Sequence, residues 1–294
     1  MKLHVKGTDA GGLTGSSHAD LEHDDTGGEH GDLALRRIEV CRISRYERQP
    51  RSAENPAYGR LKAAIRRDGL TQPLAVTRRQ GAAGYVLWGG GSTRLRILKE
   101  LAAETGEPRF AVAQCLLRPW RGEAELLLSH VKENELRGPV PFVDLAVAVA
   151  SLRAMLEREA DAAFDERRLA RRLGALGFEI DSGTIALATY VVERLSPVLP
   201  LAAQGLGRSD IESTRSLDQG ARALWRDWSI DAVEEYERVF RTLTARYDGP
   251  GWALSDLRRA LVEEMAVRGD RSAQTVALEL QARLSRLGTD GDNR

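Results

Sequence analysis

The chain has 294 residues, 42% apolar and 29% charged, and its 43 basic side chains are balanced by 43 acidic ones, a formal net charge of zero. That length can bury a full core without covalent staples, and at about 150 residues per domain it suggests two or three compact units. Cys41 and Cys115 are far apart, which excludes a disulfide framework or a cysteine zinc site and fits a reducing, cytoplasmic setting. The most apolar stretch, residues 139–152, is too short for a bilayer, contains Asp144, and is not matched by any secretion-signal core at the N-terminus.

The charge is unevenly spread. Residues 1–33 carry Asp9, Asp20, Glu22, Asp24, Asp25, Glu29 and Asp32 against Lys2 and Lys6, a net of −5, so the remainder is +5. Rich in Gly, Asp, Ser and His and without periodicity, this stretch reads as a disordered acidic tail. His4, His18, His23 and His30 lie in it at spacings that match no compact metal-ligand set. From Arg36 to Gln80 the bias reverses to twelve basic residues against four acids, net +8. Such a surface suits a polyanion, although a solvated charged face is the commoner origin of a charge run.

From Leu33 to Ile43 runs a short apolar/polar stretch, followed by "RYERQPR" (Arg45 to Arg51), expected to be extended and exposed. In "YGRLKAAIRRDGL" the spacing of Leu61, Ala64 and Ile65 predicts a helix that Gly69 stops. "QPLAVTRR" and "YVLW" read as strands around turn residues Gly81 to Gly84. Three glycines, Gly89 to Gly91, then precede a helix lined by Leu95, Leu98, Leu101 and Ala102, with Ser92 or Thr93 as the expected N-cap. A strand-to-helix turn of this kind points backbone N–H groups at an anion, and Arg94 and Arg96 stand beside it. A tight turn that uses glycine only for its dihedral freedom is the alternative.

Two further segments, Gly69-Leu70-Thr71-Gln72-Pro73 and Glu133-Asn134-Glu135-Leu136-Arg137, together with Gly91-Ser92-Thr93-Arg94-Leu95-Arg96, resemble the ParB partition-protein family. The N-terminal domain of that family shares a nucleotide-binding fold with sulfiredoxin. There a G-L-x-Q-P segment, a G-E-R-R-x-R turn and an E-N-x-x-R helix end close round cytidine triphosphate and magnesium. The resemblance implies a nucleotide site of Gly69, Gln72, Pro73, Gly90, Gly91, Ser92, Thr93, Arg94, Arg96, Asn134 and Arg137, with Glu133 and Asn134 as magnesium ligands. The residue types suit those roles: glycine admits close backbone approach, guanidinium forks onto phosphate, and carboxylate and amide oxygens are hard ligands.

The match is partial at one place. Ser92 and Thr93 stand where the family carries Glu and Arg, removing one carboxylate and one guanidinium. Ser92 also occupies the place of the sulfiredoxin cysteine, which excludes sulfinic-acid repair by a thiol. A nucleotide-dependent phosphotransferase, with Glu133 as base and Arg94 as clamp, or a nuclease of the same superfamily, is the enzymatic alternative. No catalytic residue is assigned, and CTP hydrolysis is left open.

Beyond Arg137 the pattern is helical. Leu145, Val149, Leu152 and Leu156 form a stripe after Pro141, and "DERRLARRLGALGFEIDSGTIALATYVVERL" fits a helix-turn-helix. Leu169, Ala170 and Leu173 are expected inward, Gly174 and Gly177 in the turn, and Ile185, Thr189, Val192 and Leu195 as anchors of the second helix. An ordinary α-hairpin is the alternative. Arg167, Arg168, Arg171 and Arg172 are expected on DNA phosphates, with Ser182, Thr184 and Tyr190 among the DNA-facing groups of the second helix. That helix offers few bidentate base readers, so backbone affinity should exceed sequence discrimination.

The long turn, the pattern from Leu199 to Glu212 and the form "GGGSTRLRILKEL" resemble the ParB-like proteins of integrative conjugative elements. In the last third, Asp231 and Glu234 suggest a capping box, and Val233, Tyr236, Phe240 and Leu243, then Leu257, Leu261 and Met265, then Val276, Leu280 and Leu284 mark three helical faces. These helices close a bundle or pair two subunits, and the family's dimerisation favours pairing.

The expected fold is α+β: a small ParB/sulfiredoxin-like α/β N-terminal domain, an all-α helix-turn-helix region and a C-terminal helical domain. The expected divisions are 1–33, 34–138, 139–220 and 221–294. The resemblance implies a nucleoid-associated DNA-binding homodimer, off the membrane, with CTP-gated clamping on double-stranded DNA. A ParA-type ATPase is the partner it admits.

Overall fold

In the computed structural model, residues 33–48, 56–137, 140–228 and 230–291 are described. The acidic tail up to Asp32 and the end of the "RYERQPR" segment fall outside the described residues, as does the side chain of Arg137. The described strands are β1 (Ala34–Glu39), β2 (Ile43–Ser44), β3 (Leu74–Thr77), β4 (Tyr85–Leu87) and β5 (Val112–Arg118), and they form one sheet in the order β1-β5-β3-β4-β2. β5 runs antiparallel to β1, with Ala34 opposite Leu117, and parallel to β3, with Leu74 opposite Cys115. β4 runs antiparallel to β3 and parallel to β2.

Local signals explain the elements that position the turn. α1 (Tyr58–Asp68) buries Ile65 and ends where Gly69, at φ 76°, returns its N–H to the Ile65 carbonyl at 2.9 Å. The loop Gly69–Pro73 then feeds β3, whose Leu74 and Val76 are fully buried. α2 (Ser92–Thr105) buries Leu95, Ile97, Leu98 and Leu101 against the sheet with Phe110 of the short α3 (Pro108–Ala111) and Cys115. Each such side chain contributes about 1.5–3 kcal/mol by leaving water. The pleat of β4 splits its neighbours: Leu87 joins that core, while Val86 points into the cluster built by Leu126, Leu127, Leu128 and Val131 of α4 (Glu123–Arg137). The sequence pattern assigns no element from Gly106 to Val131, yet β5 there is the strand that joins β1 to β3. Tyr46, expected in an exposed segment, is instead buried and stacks on His130 at 4.9 Å.

α5 (Phe142–Ala160), α6 (Glu166–Ala175) and α7 (Ser182–Tyr190) continue the α4 cluster. Asp165 caps α6 by accepting the Arg168 N–H, and Asp181 caps α7 through the Thr184 N–H. α7 runs on as a π-helical segment, Val191–Leu195. The last four helices, α8 (Arg208–Asp227), α9 (Val233–Arg246), α10 (Leu254–Arg268) and α11 (Ala273–Gly291), bury Trp225, Tyr236, Leu257, Leu261, Met265 and Leu280 together. The expected faces therefore close a bundle within the chain. Gly220 lets α8 and α11 cross closely, since a Cβ there would lie 3.1 Å from the Leu284 Cδ2. The α9 cap differs from expectation: Ala232 occupies the N-cap, and the Asp231 carboxylate accepts the Ala232 N–H instead.

Candidate functional site

The strand-to-helix turn is built by two left-handed glycines, Gly89 at φ 70° and Gly91 at φ 99°. Gly91, not Ser92 or Thr93, is the N-cap of α2, because only a residue without a Cβ sits comfortably there. A Cβ at Gly91 would lie 3.0 Å from Leu74 Cδ2 and 3.7 Å from Arg94 Nη2. Ser92 becomes the first helical residue, half-buried like Thr93.

The three motif segments meet at this turn. Arg94 donates from Nη1 to the Gln72 carbonyl at 3.1 Å, which ties the exposed Gln72-Pro73 loop to the start of α2. On the α4 side, the Gly89 N–H donates to Ser129 Oγ at 3.0 Å, and a Cβ on Gly89 would lie 3.9 Å from the Glu133 Cβ. Arg94 and Glu133 thus border one and the same turn. Asn134 is 3% exposed, and its Nδ2 has no hydrogen-bond partner.

Arg96 leaves the group. Its guanidinium sits 4.0 Å over the Tyr58 ring and pairs with Glu100 at 3.5 Å, directed toward α1 by its place two positions, about 200°, round the helix from Arg94. Sequence reasoning missed Gly89, Ser129 and His130. The signal for Gly89 was its place in the triplet, whereas the other two only tertiary packing brings to the turn.

On the helix pair, Arg167, Arg168, Arg171 and Arg172 are all exposed. Arg168 stacks 4.2 Å over Phe164 and donates to the Ala163 carbonyl at 3.1 Å. With Arg171, Arg172 and Leu156 it lines an open groove of about 450 Å³ between the end of α5 and α6. Gly177, at φ 72°, makes the turn, while Gly174 lies in the last turn of α6.

The second helix departs from expectation. Thr184 is 5% exposed and gives its hydroxyl to Oδ2 of the N-cap Asp181 at 2.5 Å, so it is bound into the helix start and presents nothing outward. Tyr190 is buried as well. Burial pushes its phenol well above the usual tyrosine range, and the nearby Asp218 carboxylate adds to the effect. Leu187 is likewise buried, because α7 packs against α5, α6 and α8 at once. Ser182, Gly183 and Ala186 remain at least partly accessible, toward the N-terminal end that a recognition helix uses.

No family model matches the chain, and no curated protein does either. Among solved structures it is similar to a pNOB8-like ParB-N domain in its C2221 form, at 15% identity and a TM-score of 0.51, covering 80% of this chain and 98% of that one. A second pNOB8-like ParB N-domain structure is 11% identical with a TM-score of 0.50, over 87% and 98% of the two chains. The fold is that of the ParB N-domains. A C-terminally truncated chromosome-partitioning protein ParB from Caulobacter crescentus, complexed with CTP-γ-S, also matches at 15% identity over 79% of this chain and 98% of that one, with a TM-score of only 0.29.

Within this ParB-type fold, His130 holds the strand that leads into the glycine turn. Its Nε2 is 3.0 Å from the Leu87 carbonyl, and the ring is 1% exposed. Burial pushes the imidazole down to about 4, against the opposing pull of that hydrogen bond. Below pH 6.5 the unfolded chain therefore takes up the proton first, and stability is lost as pH falls from 6.5 to 4, by about 3 kcal/mol in full. Glu47, held down to about 2 by its hydrogen bonds to Arg79, loses its contribution at lower pH, from about 4.5 down to about 2. Urea unfolding of the wild type at pH 7.5 and pH 4.5 should show the loss, and His130→Gln should flatten it. An equal slope in both proteins would remove His130 as its source.

Proposed function

We propose that the chain is a ParB-like DNA-binding protein that holds duplex DNA as a homodimer, and that cytidine triphosphate with magnesium at the Gly89–Gly91 turn gates its grip. The observation that carries this reading is the convergence of the three motif segments: Arg94 bonded to Gln72 on one side of the triplet, Glu133 against Gly89 on the other. Positive-φ glycines at the head of α2 let phosphate approach backbone N–H groups closely. Gln72 and Arg94 supply further donors, with Arg137 at the end of α4 as the remaining motif residue. Arg96 is the weakest member of the proposed set, because Tyr58 and Glu100 already engage it.

The residues fit magnesium in type through oxygen: a half-buried carboxylate at Glu133 and the amide oxygen of buried Asn134, whose unbonded Nδ2 is a donor suited to a phosphate oxygen instead. Among the described residues no three acidic, histidine or cysteine side chains gather as a metal site. An ion at Glu133 would complete its shell from phosphate oxygens and water, the usual habit of magnesium, and would offset phosphate charge. Titration of labelled CTP with magnesium and DNA present tests the site. Binding that Arg94→Ala and Glu133→Ala abolish is expected, and no detectable uptake by the wild type sinks the nucleotide part.

The proposed DNA face is the α5–α6 groove lined by Arg168, Arg171 and Arg172, together with exposed Arg167 of the same helix and Ser182 at the head of α7. Thr184 and Tyr190 are withdrawn from it by their burial. Replacing Arg171 and Arg172 with alanine should weaken duplex binding on any sequence and lower the salt slope, d log K/d log[salt], by about 2 in magnitude, near 0.9 for each phosphate no longer neutralised. An unchanged slope would place the DNA elsewhere.

The proposed divisions are 34–138, 139–220 and 221–294. Separate apolar clusters for the sheet with α1 and α2 and for the α8–α11 bundle support a first and a last unit, whereas the third cluster runs from Val86 and α4 to Ile211 across the 138 boundary, and the 220 boundary falls within α8. No helix among the described residues is long and apolar enough to cross a membrane. A role in segregation or maintenance of a mobile element, with a ParA-type ATPase as partner, rests on the sequence resemblance at Gly89–Leu101 and Leu199–Glu212.

A further inference from the structure

We infer that Lys132 is the positioning residue through which the nucleotide turn and the arginine-bearing helix α6 sense one another. The inference rests on the nucleotide and DNA reading above and names the link that reading lacks. Lys132 stands on the last part of α4 between residues that hold the turn: Ser129 receives the Gly89 N–H, His130 lies on the Leu87 carbonyl, and Glu133 faces Gly89. Its own side chain leaves the turn and donates from Nζ to the Leu176 carbonyl at 2.7 Å.

Leu176 is the C-cap of α6, so that carbonyl belongs to the group of helix-end acceptors that the helix itself cannot satisfy. An ammonium there supplies both the missing donor and the positive charge that a helix C-terminus attracts. The next residue, Gly177, is fitted to the contact. Its φ is +72°, and a Cβ would come within 3.1 Å of Lys132 Nζ. One rigid helix end is therefore fastened to the glycine turn on one side and to the end of α6 on the other. A ligand that moves or stiffens Glu133 acts on the carbonyl that ends the helix carrying Arg167, Arg168, Arg171 and Arg172. By reciprocity DNA held on α6 must act back on the nucleotide with equal free energy.

The test measures CTP affinity with and without duplex DNA, and DNA affinity with and without CTP and magnesium, in wild type, Lys132→Met and Lys132→Arg. Methionine keeps the packed stem and removes the donor, whereas arginine keeps the charge and a donor. In the wild type each ligand should change the affinity of the other by the same factor, about tenfold within the usual 5–150-fold range. Lys132→Met should still bind each ligand singly, with the factor falling to about one, and Lys132→Arg should restore a substantial part of it. A Lys132→Met protein that keeps the wild-type factor overturns the inference and leaves the nucleotide reading standing. So does one that loses both single affinities with the factor intact, the mark of a merely structural lysine. A wild type that takes up no CTP overturns the nucleotide reading, and with it the inference.

Discussion

Gly91→Ala is expected to cost about 4 kcal/mol and to abolish nucleotide uptake. Two penalties add: about 1–2 kcal/mol for holding an L-residue at left-handed φ, and about 1–3 kcal/mol for overpacking a close-packed site. The φ of 99° is one that an L-residue rarely adopts, and Leu74, against which the methyl would press, is fully buried beneath the turn. Arg94 Nη2, 3.7 Å away, would be in ordinary contact with the methyl, so the effect on nucleotide comes from the displaced turn. Gly81→Ala is the matched control. It has a φ of 72° with nothing within 4 Å of its Cβ, and should show only the dihedral cost with CTP binding intact. Urea unfolding and CTP titration on both variants check this. Equal losses in the two would mean that the turn's packing contributes nothing.

Asp218→Ala is expected to cost about 3 kcal/mol, because it leaves part-buried Arg194 with one of its two carboxylate partners. Asp218 is 3% exposed and takes two bonds from Arg194, at 2.7 and 3.0 Å, and the Tyr236 hydroxyl at 2.8 Å. Arg194 lies in the π-helical segment that follows α7, so the pair joins the helix pair to the C-terminal bundle. After the substitution Arg194 would keep Glu237, and Tyr236 would keep the main-chain carbonyl of residue 218 at 2.8 Å, which limits the damage at those two atoms. Removing both charges together, Arg194→Met with Asp218→Leu, should recover most of the loss, since a buried pair replaced by apolar side chains of similar volume is close to neutral. Glu237 would then still pair with Arg222 at 3.1 Å. Thermal unfolding of the single and double variants decides it, and a double variant as unstable as Asp218→Ala refutes this account.

Legibility from sequence followed the range of the interaction concerned. α1, its stop at Gly69, the two strands, the stripe of α5 and the faces of the last three helices were readable because each depends on apolar spacing or on a local terminator. The α7 reading failed at Thr184 and Tyr190 for the converse reason. A short helix of mixed small and apolar residues has no polar side to reveal itself, and its exposure is decided by how many neighbours enclose it. Here α5, α6 and α8 do so. β5 went unassigned although it joins β1 to β3, since its place depends on partners far away in sequence.

The nucleotide pocket divides in the same way. Residue identities alone determined that glycines, Arg94, Gln72 and the Glu133-Asn134 pair were available, because donor, acceptor and dihedral capacity are properties of each amino acid by itself. Only the tertiary structure decided that Arg94 bonds to Gln72, that Arg96 turns to Tyr58, and that Glu133 and Ser129 close on Gly89. The opposed directions of Arg94 and Arg96 follow from their separation of about 200° round α2, but which neighbours each meets hangs on the packing of α1 and α4 against the sheet, which no local stretch of chain encodes.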